Sequence, residues 1–68
     1  MSIYSAIKDI AGSKRIPIRK IERNLNFSNG TIGKWDKSDP SVSKIQMVAD
    51  YLGVTIGYIL IKAKEDKQ

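Results

Sequence analysis

The side chains best suited to binding chemistry lie between Asn29 and Lys37, a stretch that contains two glycines and two lysines. Asparagine can form two hydrogen bonds with adenine, and lysine can donate to the N7 and O6 atoms of guanine. Glycine lets a backbone approach another surface closely, although each glycine costs roughly 1 kcal/mol relative to alanine inside a helix. This combination indicates a surface that reads a nucleic acid. The competing interpretation is a plain turn at Asn29-Gly30 followed by solvated lysines.

Side chains for catalysis are scarce. The chain has neither histidine nor cysteine, which removes the commonest zinc ligands and the usual acid–base and thiol groups near neutral pH. Asp36 and Asp39 are spaced like a carboxylate pair, but the sequence places no metal ligand or base beside them. Roles in a loop and a helix cap suit them better. We therefore expect no enzymatic activity, no metal and no cofactor.

The net charge points to a polyanionic partner. Of the 68 residues, twelve are lysine or arginine and seven are aspartate or glutamate, which gives a formal charge of +5. The segment from Lys14 to Lys44 holds eight of the basic residues and three of the acidic ones, so it carries a net +5 by itself. A positive excess confined to one segment favours binding to nucleic acid.

Five short helices are predicted to position these residues, because apolar side chains recur at helical spacing almost throughout and sustained strand-like alternation is absent. The expected class is all-α, with one domain over residues 1–61 and a charged tail, 62–68, that frays. Ile32 and Trp35 are expected to face the core from the third helix, so Trp35 is interpreted as a packing residue rather than a base-stacking one. Helix starts are predicted at Ser2, Pro17, Ser28, Ser41 and Thr55, and helix ends near Ser13, Asn26, Ser38 and Gly53.

The sequence also predicts a cytoplasmic location. The longest apolar-rich stretch, from Val54 to Ile61, is far shorter than the roughly 18 continuous apolar residues of a membrane-spanning helix. The first residues, Met1 to Tyr4, lack the charged and apolar regions of a secretory signal. We expect no membrane contact and no small-molecule ligand.

Correlated spacing links the helices over most of the chain, roughly from Ile3 to Leu60. One half of the pattern is Ile21-x3-Leu25-Asn26-Phe27-Ser28-x3-Ile32-x2-Trp35, and the other is Pro40-Ser41-x3-Ile45-x2-Val48-Ala49-x2-Leu52-Gly53-Val54-x3-Tyr58-Ile59-Leu60. It resembles the helix-turn-helix domain of the Cro/C1-type phage repressors, the xenobiotic-response-element family of transcriptional regulators. The stretch from Phe27 to Trp35 is similar to the variant common in Gram-positive bacteria and their phages. The resemblance implies a compact, five-helix, lambda-repressor-like fold in which helices 2 and 3 form the helix-turn-helix and helix 3 enters the major groove.

The resemblance also implies roles for residues in matching positions. The base-reading positions of the family fall on Asn29, Gly30, Gly33 and Lys34. The positions that contact the DNA backbone fall on Arg19, Lys20, Ser28, Thr31, Lys37, Ser38 and Lys44. The last helix is more apolar than so short an element needs to close a core, and the resemblance implies a dimer interface there, with core packing as the alternative. The dimer residues expected are Tyr58, Ile59 and Ile61.

Helix 2 departs from the family pattern at two positions. Ile18 stands where the family often has a glutamine that binds a phosphate, so Arg19 or Lys20 is expected to take over that contact. Glu22 stands where a small residue is usual, and we expect it to point outward near Arg19 and Arg23. The basic residues of helix 2 are candidates for contact with phosphates, and the alternative is that they are ordinary solvated charges. They are Arg19, Lys20 and Arg23.

Two further departures concern the neighbourhood of helix 3. Ala11 replaces an arginine that the family often pairs with the acidic residue after the tryptophan, so Asp36 is expected to lack that partner. Gly30 and Gly33 carry no side chain. Direct readout is therefore expected from Asn29, Thr31 and Lys34, or specificity depends on DNA shape.

The expected function is sequence-specific DNA binding by a transcriptional regulator, of the repressor type found in phages and prophages. We expect a homodimer, at least on DNA, and a palindromic double-stranded operator. The alternative comes from a different class of protein. The same fold can serve as a protein-interaction module, such as an antitoxin or an anti-repressor.

Overall fold

The computed structural model describes residues 2–65, which form four α-helices and one short 3₁₀ helix, with no strand in that range. The expected all-α class is confirmed. The expected count of five α-helices is wrong, because a 3₁₀ helix stands at the position of the third predicted helix. The α-helices are α1 (Ile3–Ser13), α2 (Ile18–Asn24), α3 (Val42–Leu52) and α4 (Ile56–Glu65), and the 3₁₀ helix, η1, is Gly33–Asp36.

Hydroxyl side chains begin three of the α-helices, as predicted. The Ser2 Oγ accepts a hydrogen bond from the Ser5 amide at 3.1 Å, and the Ser41 Oγ accepts one from the Lys44 amide at 3.4 Å. Thr55 does the same for α4, at 3.0 Å. Pro17 precedes α2 in an extended conformation without a side-chain cap. Each hydroxyl satisfies an amide that the first turn of a helix leaves without a partner.

Three α-helices end in the same backbone motif. Each closes with a residue in the left-handed region, and the next residue donates its amide to the carbonyl five positions earlier, which is a Schellman ending. The predicted turn at Asn26 and helix end at Gly53 are confirmed. The left-handed residues are Arg15 (φ 59°), Asn26 (φ 61°) and Gly53 (φ 74°). The bonds run from Ile16 to Ala11 at 2.8 Å, from Phe27 to Glu22 at 2.8 Å and from Val54 to Ala49 at 2.9 Å.

The strained ending of α1 gives a stability prediction. A left-handed conformation costs a residue with a Cβ about 1–2 kcal/mol. Replacing that residue with glycine removes this cost, but the greater freedom of glycine in the unfolded chain offsets about 0.5–1 kcal/mol of the gain. Arg15→Gly should therefore raise the free energy of unfolding by about 0.5–1 kcal/mol, or the Tm by about 2–8 °C. Thermal unfolding followed by circular dichroism measures it. Arg15→Ala removes the same charge but keeps the strain, so equal Tm values for the two variants would contradict this explanation.

The core lies where α1 packs against α4 and η1, with α3 packed against α4. Trp35 is 5% exposed, and its ring meets Phe27 edge-on with centroids 6.0 Å apart, so its predicted packing role is confirmed. Burial of Ile32 and Trp35 fixes the chain between α2 and α3 to the same core as the helices. The largest fully buried side chains are Ile7, Ile21, Ile32, Val48 and Ile59.

The last helix runs further than expected. α4 continues to Glu65, Ala63 is buried at 8% exposure, and the Lys62 Nζ lies 3.9 Å from the Asp9 Oδ2 on α1. α4 therefore includes residues 62–65 of the predicted tail. Residues 66–68 of that tail lie outside the described range.

No single helix among the described residues is long and apolar enough to cross a membrane. α3 and α4 together have the length and apolar composition of a membrane span, but the chain bends by 99° between them. Both helices contribute side chains to the core.

Candidate nucleic-acid interface

The candidate interface consists of residues 28–38, called here the 28–38 segment, together with the exposed side of α2. Within the segment Ile32 and Trp35 are buried, Thr31 is half-buried and the remaining residues are exposed. The two buried side chains anchor the segment to the core, and the exposed residues around them face solvent. The exposed surface is therefore held in place by Ile32 and Trp35.

The 28–38 segment is not the regular α-helix that its sequence predicts. Gly30 has a φ of 86°, which lies outside the right-handed helical region, and the Thr31 amide donates to the Ser28 carbonyl at 3.1 Å in a turn. The helical part is Gly33–Asp36, so the predicted N-cap at Ser28 is wrong. Glycine at position 30 adopts this φ without the steric cost that a Cβ would impose, and the turn forms in place of the helix.

Glu22 holds this turn from inside the protein. Its side chain is only 4% exposed, and its Oε2 accepts a hydrogen bond from the Ile32 amide at 2.9 Å. Its Oε1 accepts one from the Gly30 amide at 3.3 Å. The expectation that Glu22 points outward toward the arginines of α2 is wrong. A buried carboxylate requires hydrogen bonds, and the amides of the irregular turn provide them.

The position of Glu22 in the sequence already indicates that its side chain is buried, although its charge suggests exposure. Glu22 follows Ile18 by four residues and precedes Leu25 by three, so it lies on the same face of α2 as the apolar stripe. The stripe contains Ile21, which is fully buried. A charged residue within an apolar stripe predicts a buried group with dedicated partners.

All four predicted base-reading residues are exposed. A Cβ atom added at Gly30 or Gly33 would have nothing within 4 Å. Gly30 has a reason internal to the fold, its positive φ, but Gly33 has neither a positive φ nor a crowding neighbour. Glycine at position 33 therefore serves no need of this chain's own packing, which favours close approach by an external partner. The four residues are Asn29, Gly30, Gly33 and Lys34.

The structure brings part of the predicted backbone-contacting set together. An open groove between α2 and the 28–38 segment is lined by Arg19, Arg23, Asn26, Ser28 and Asn29, among others. Thr31 is half-buried, and the other predicted members are exposed but do not line this groove. Those exposed members are Lys20, Lys37, Ser38 and Lys44.

The positive charges of the interface are not neutralised within the described part of the chain. The ion pair found among residues 2–64 joins Lys62 to Asp9, and neither residue belongs to the stretch from Lys14 to Lys44. All eight basic side chains of that stretch are exposed. Their charge is therefore available to an external anion.

Asp36, at the end of η1, has a partner that the sequence did not indicate. Its Oδ1 accepts a hydrogen bond from the Ser2 Oγ at 2.7 Å. Ala11 supplies no charge, as expected, but the hydroxyl that caps α1 links η1 to the start of α1 instead. The contact involves exposed groups, so it fixes position more than it adds stability.

The predicted dimer residues divide between two faces of α4. Tyr58 is 49% exposed and Ile61 is 56% exposed. Ile59 is fully buried, so its assignment to a dimer interface is wrong. Successive residues of an α-helix turn by about 100°, which places Ile59 on the core side together with Ala63 and leaves Tyr58 and Ile61 on the other. Leu60, 43% exposed, extends the exposed apolar surface.

The interface therefore combines an exposed basic surface, a turn that the buried Glu22 carboxylate holds, and a glycine, Gly33, that no close contact requires. Comparison of the chain with protein-family models, with curated proteins and with solved structures found no match.

Proposed function

We propose that the protein is a sequence-specific DNA-binding transcriptional regulator, a cytoplasmic repressor of the phage or prophage type that needs no cofactor. The observation that carries the proposal is the exposure of Asn29, Gly33 and Lys34 on a segment that Ile32 and Trp35 anchor to the core. Two side chains that can bind base edges flank a glycine that the fold itself does not require.

In this proposal α2 and the 28–38 segment form a helix-turn-helix of the lambda-repressor-like type, with η1 as a shortened second helix. The glycines let the backbone approach the major groove, and Asn29 and Lys34 contact base edges. Arg19, Lys20 and Ser28, with Thr31, Lys37, Ser38 and Lys44, contact phosphates. Two copies joined through Tyr58 and Ile61 bind half-sites about 34 Å apart, one turn of B-DNA.

In-vitro selection from a random duplex library tests the proposal. The expected product is a palindrome whose half-sites are spaced by about one helical turn. On the selected duplex, Lys34→Ala should cost about 1–3 kcal/mol of binding free energy or relax the base preference at one position of each half-site. Binding isotherms on the selected duplex and on single-position variants measure both effects.

Lys8→Ala is the matched control, because Lys8 is an exposed lysine on α1, outside both the basic stretch and α4. It should leave the preference of every position unchanged. A selection that enriches no sequence would contradict the proposal.

A protein-interaction module, such as an antitoxin or an anti-repressor, is the second candidate. Exposed apolar side chains favour it, since Val42 is 71% exposed and Ile61 is 56% exposed, and apolar surface of this kind suits contact with another protein. This candidate predicts capture of a protein partner that survives Lys34→Ala. It also predicts that selection enriches no duplex.

A further inference from the structure

We propose that Glu22 is the positioning residue of the DNA-reading surface, holding the turn before η1 in its binding conformation before DNA arrives. The inference rests on the proposed function, and it names a residue that would not itself touch DNA. Glu22 is the buried charged residue of the described chain, and its hydrogen bonds are directed at the turn.

The contacts of Glu22 are concentrated on one short stretch of backbone. The two carboxylate oxygens accept from the amides of Gly30 and Ile32, at 3.3 and 2.9 Å. The backbone carbonyl of Glu22 accepts from the Phe27 amide at 2.8 Å. One residue therefore holds three amides within a six-residue span, and Asn29 lies between the points that are held.

Gly30 connects Glu22 to η1. The Gly30 amide donates to the Glu22 carboxylate, and the Gly30 carbonyl accepts from the Lys34 amide at 3.1 Å. One residue, Gly30, therefore separates the backbone of Lys34 from the carboxylate. Asn29 and Lys34, the two residues proposed to contact bases, both extend from backbone that Glu22 fixes.

A carboxylate is the side chain that this geometry requires. Each oxygen accepts from a different amide, and hydrogen bonds to an ionised acceptor are stronger than those between neutral groups. Glutamine has nearly the same shape but replaces one oxygen with a donating NH₂ group. That group would face an amide donor, so at least one of the two bonds would be lost.

Fixing the turn in advance matters for recognition because ordering a mobile loop during binding lowers affinity. A mobile turn also fits several base sequences, so discrimination between operators falls. The two glycines at positions 30 and 33 would by themselves allow many backbone conformations. Glu22 removes that freedom without placing any side chain on the surface.

The test compares Glu22→Gln with Asp50→Asn, which makes the same change in charge at an exposed position on α3, outside the 28–38 segment. The first measurement is the ratio of affinities for the selected duplex and a scrambled duplex. Glu22→Gln should lower the ratio about tenfold to a hundredfold, while the slope of affinity against salt stays the same. Asp50→Asn should leave the ratio unchanged.

The second measurement needs no DNA. Amide hydrogen exchange at Gly30 and Ile32 should become about tenfold faster or more in Glu22→Gln and stay unchanged in Asp50→Asn. Unchanged exchange in a folded Glu22→Gln variant would overturn the inference, and so would an unchanged affinity ratio. If the wild-type protein shows no sequence preference, the proposed function fails, while the exchange data still decide whether Glu22 fixes the turn.

If Glu22→Gln does not fold, amide hydrogen exchange in the wild-type protein tests the proposal. Gly30 and Ile32 amides that exchange as fast as those of an unstructured peptide would overturn it. Glu22→Asp provides a second variant, because it keeps the charge and both oxygens but shortens their reach by one methylene. It should change the ratio and the exchange in the same directions.

Discussion

Ile59→Ala should lower the free energy of unfolding by about 2–5 kcal/mol, whereas Ile61→Ala should change it by less than about 0.5 kcal/mol. The two substitutions are chemically identical and lie two residues apart on α4. Ile59 is fully buried and Ile61 is 56% exposed. The first removes apolar atoms from a packed core and leaves a cavity, and the second removes them from water.

The loss at Ile59 is large relative to the total. A domain of 68 residues has a stability of about 3–10 kcal/mol, so Ile59→Ala should remove at least about a fifth of it. Fluorescence of Trp35, which is buried at 5% exposure, reports unfolding by urea. Equal urea midpoints for the two variants would show that Ile59 does not lie in the core.

The same pair separates folding from self-association. If α4 forms the proposed dimer interface, Ile61→Ala should raise the dissociation constant of the dimer in sedimentation equilibrium without lowering the urea midpoint at low protein concentration. A monomeric wild-type protein, on DNA and off it, would contradict the proposed role of Tyr58 and Ile61.

The features that the sequence predicts correctly depend on neighbours along the chain. The caps at Ser2, Ser41 and Thr55 each bond to an amide three residues later, and the ending at Gly53 needs only a residue that accepts a positive φ. Such choices are decided within one helical turn. The residue types alone therefore carry enough information.

The features that sequence reasoning misses depend on distant contacts. Glu22 reaches amides eight and ten residues away, and its bonds favour a turn where local spacing favours a helix from Ser28. Ile59 lies in a run of apolar residues on several sides of α4, so spacing alone does not select the buried side. Packing of α4 against α1 and α3 selects it, and that packing exists only in the folded chain.

Raising the salt concentration from about 50 to 200 mM should weaken operator binding by about 10³–10⁵-fold, the range for proteins that contact 6–10 phosphates. Eight exposed basic residues lie between Lys14 and Lys44, and a dimer presents each of them twice. If half of them contact DNA, the dimer meets about eight phosphates. The plot of log affinity against log salt should then have a slope near −7.

Single substitutions assign the slope to particular residues. Arg19→Ala removes an exposed side chain from the groove beside the 28–38 segment, so each dimer loses two phosphate contacts and the slope should become less steep by nearly 2. Lys8→Ala, outside both the basic stretch and α4, should leave the slope unchanged. Fluorescence anisotropy at four or more salt concentrations measures each slope. Because counterion release accompanies any contact with phosphate, a wild-type slope near zero would mean that the basic surface does not bind DNA, and the protein-interaction module would become the better explanation.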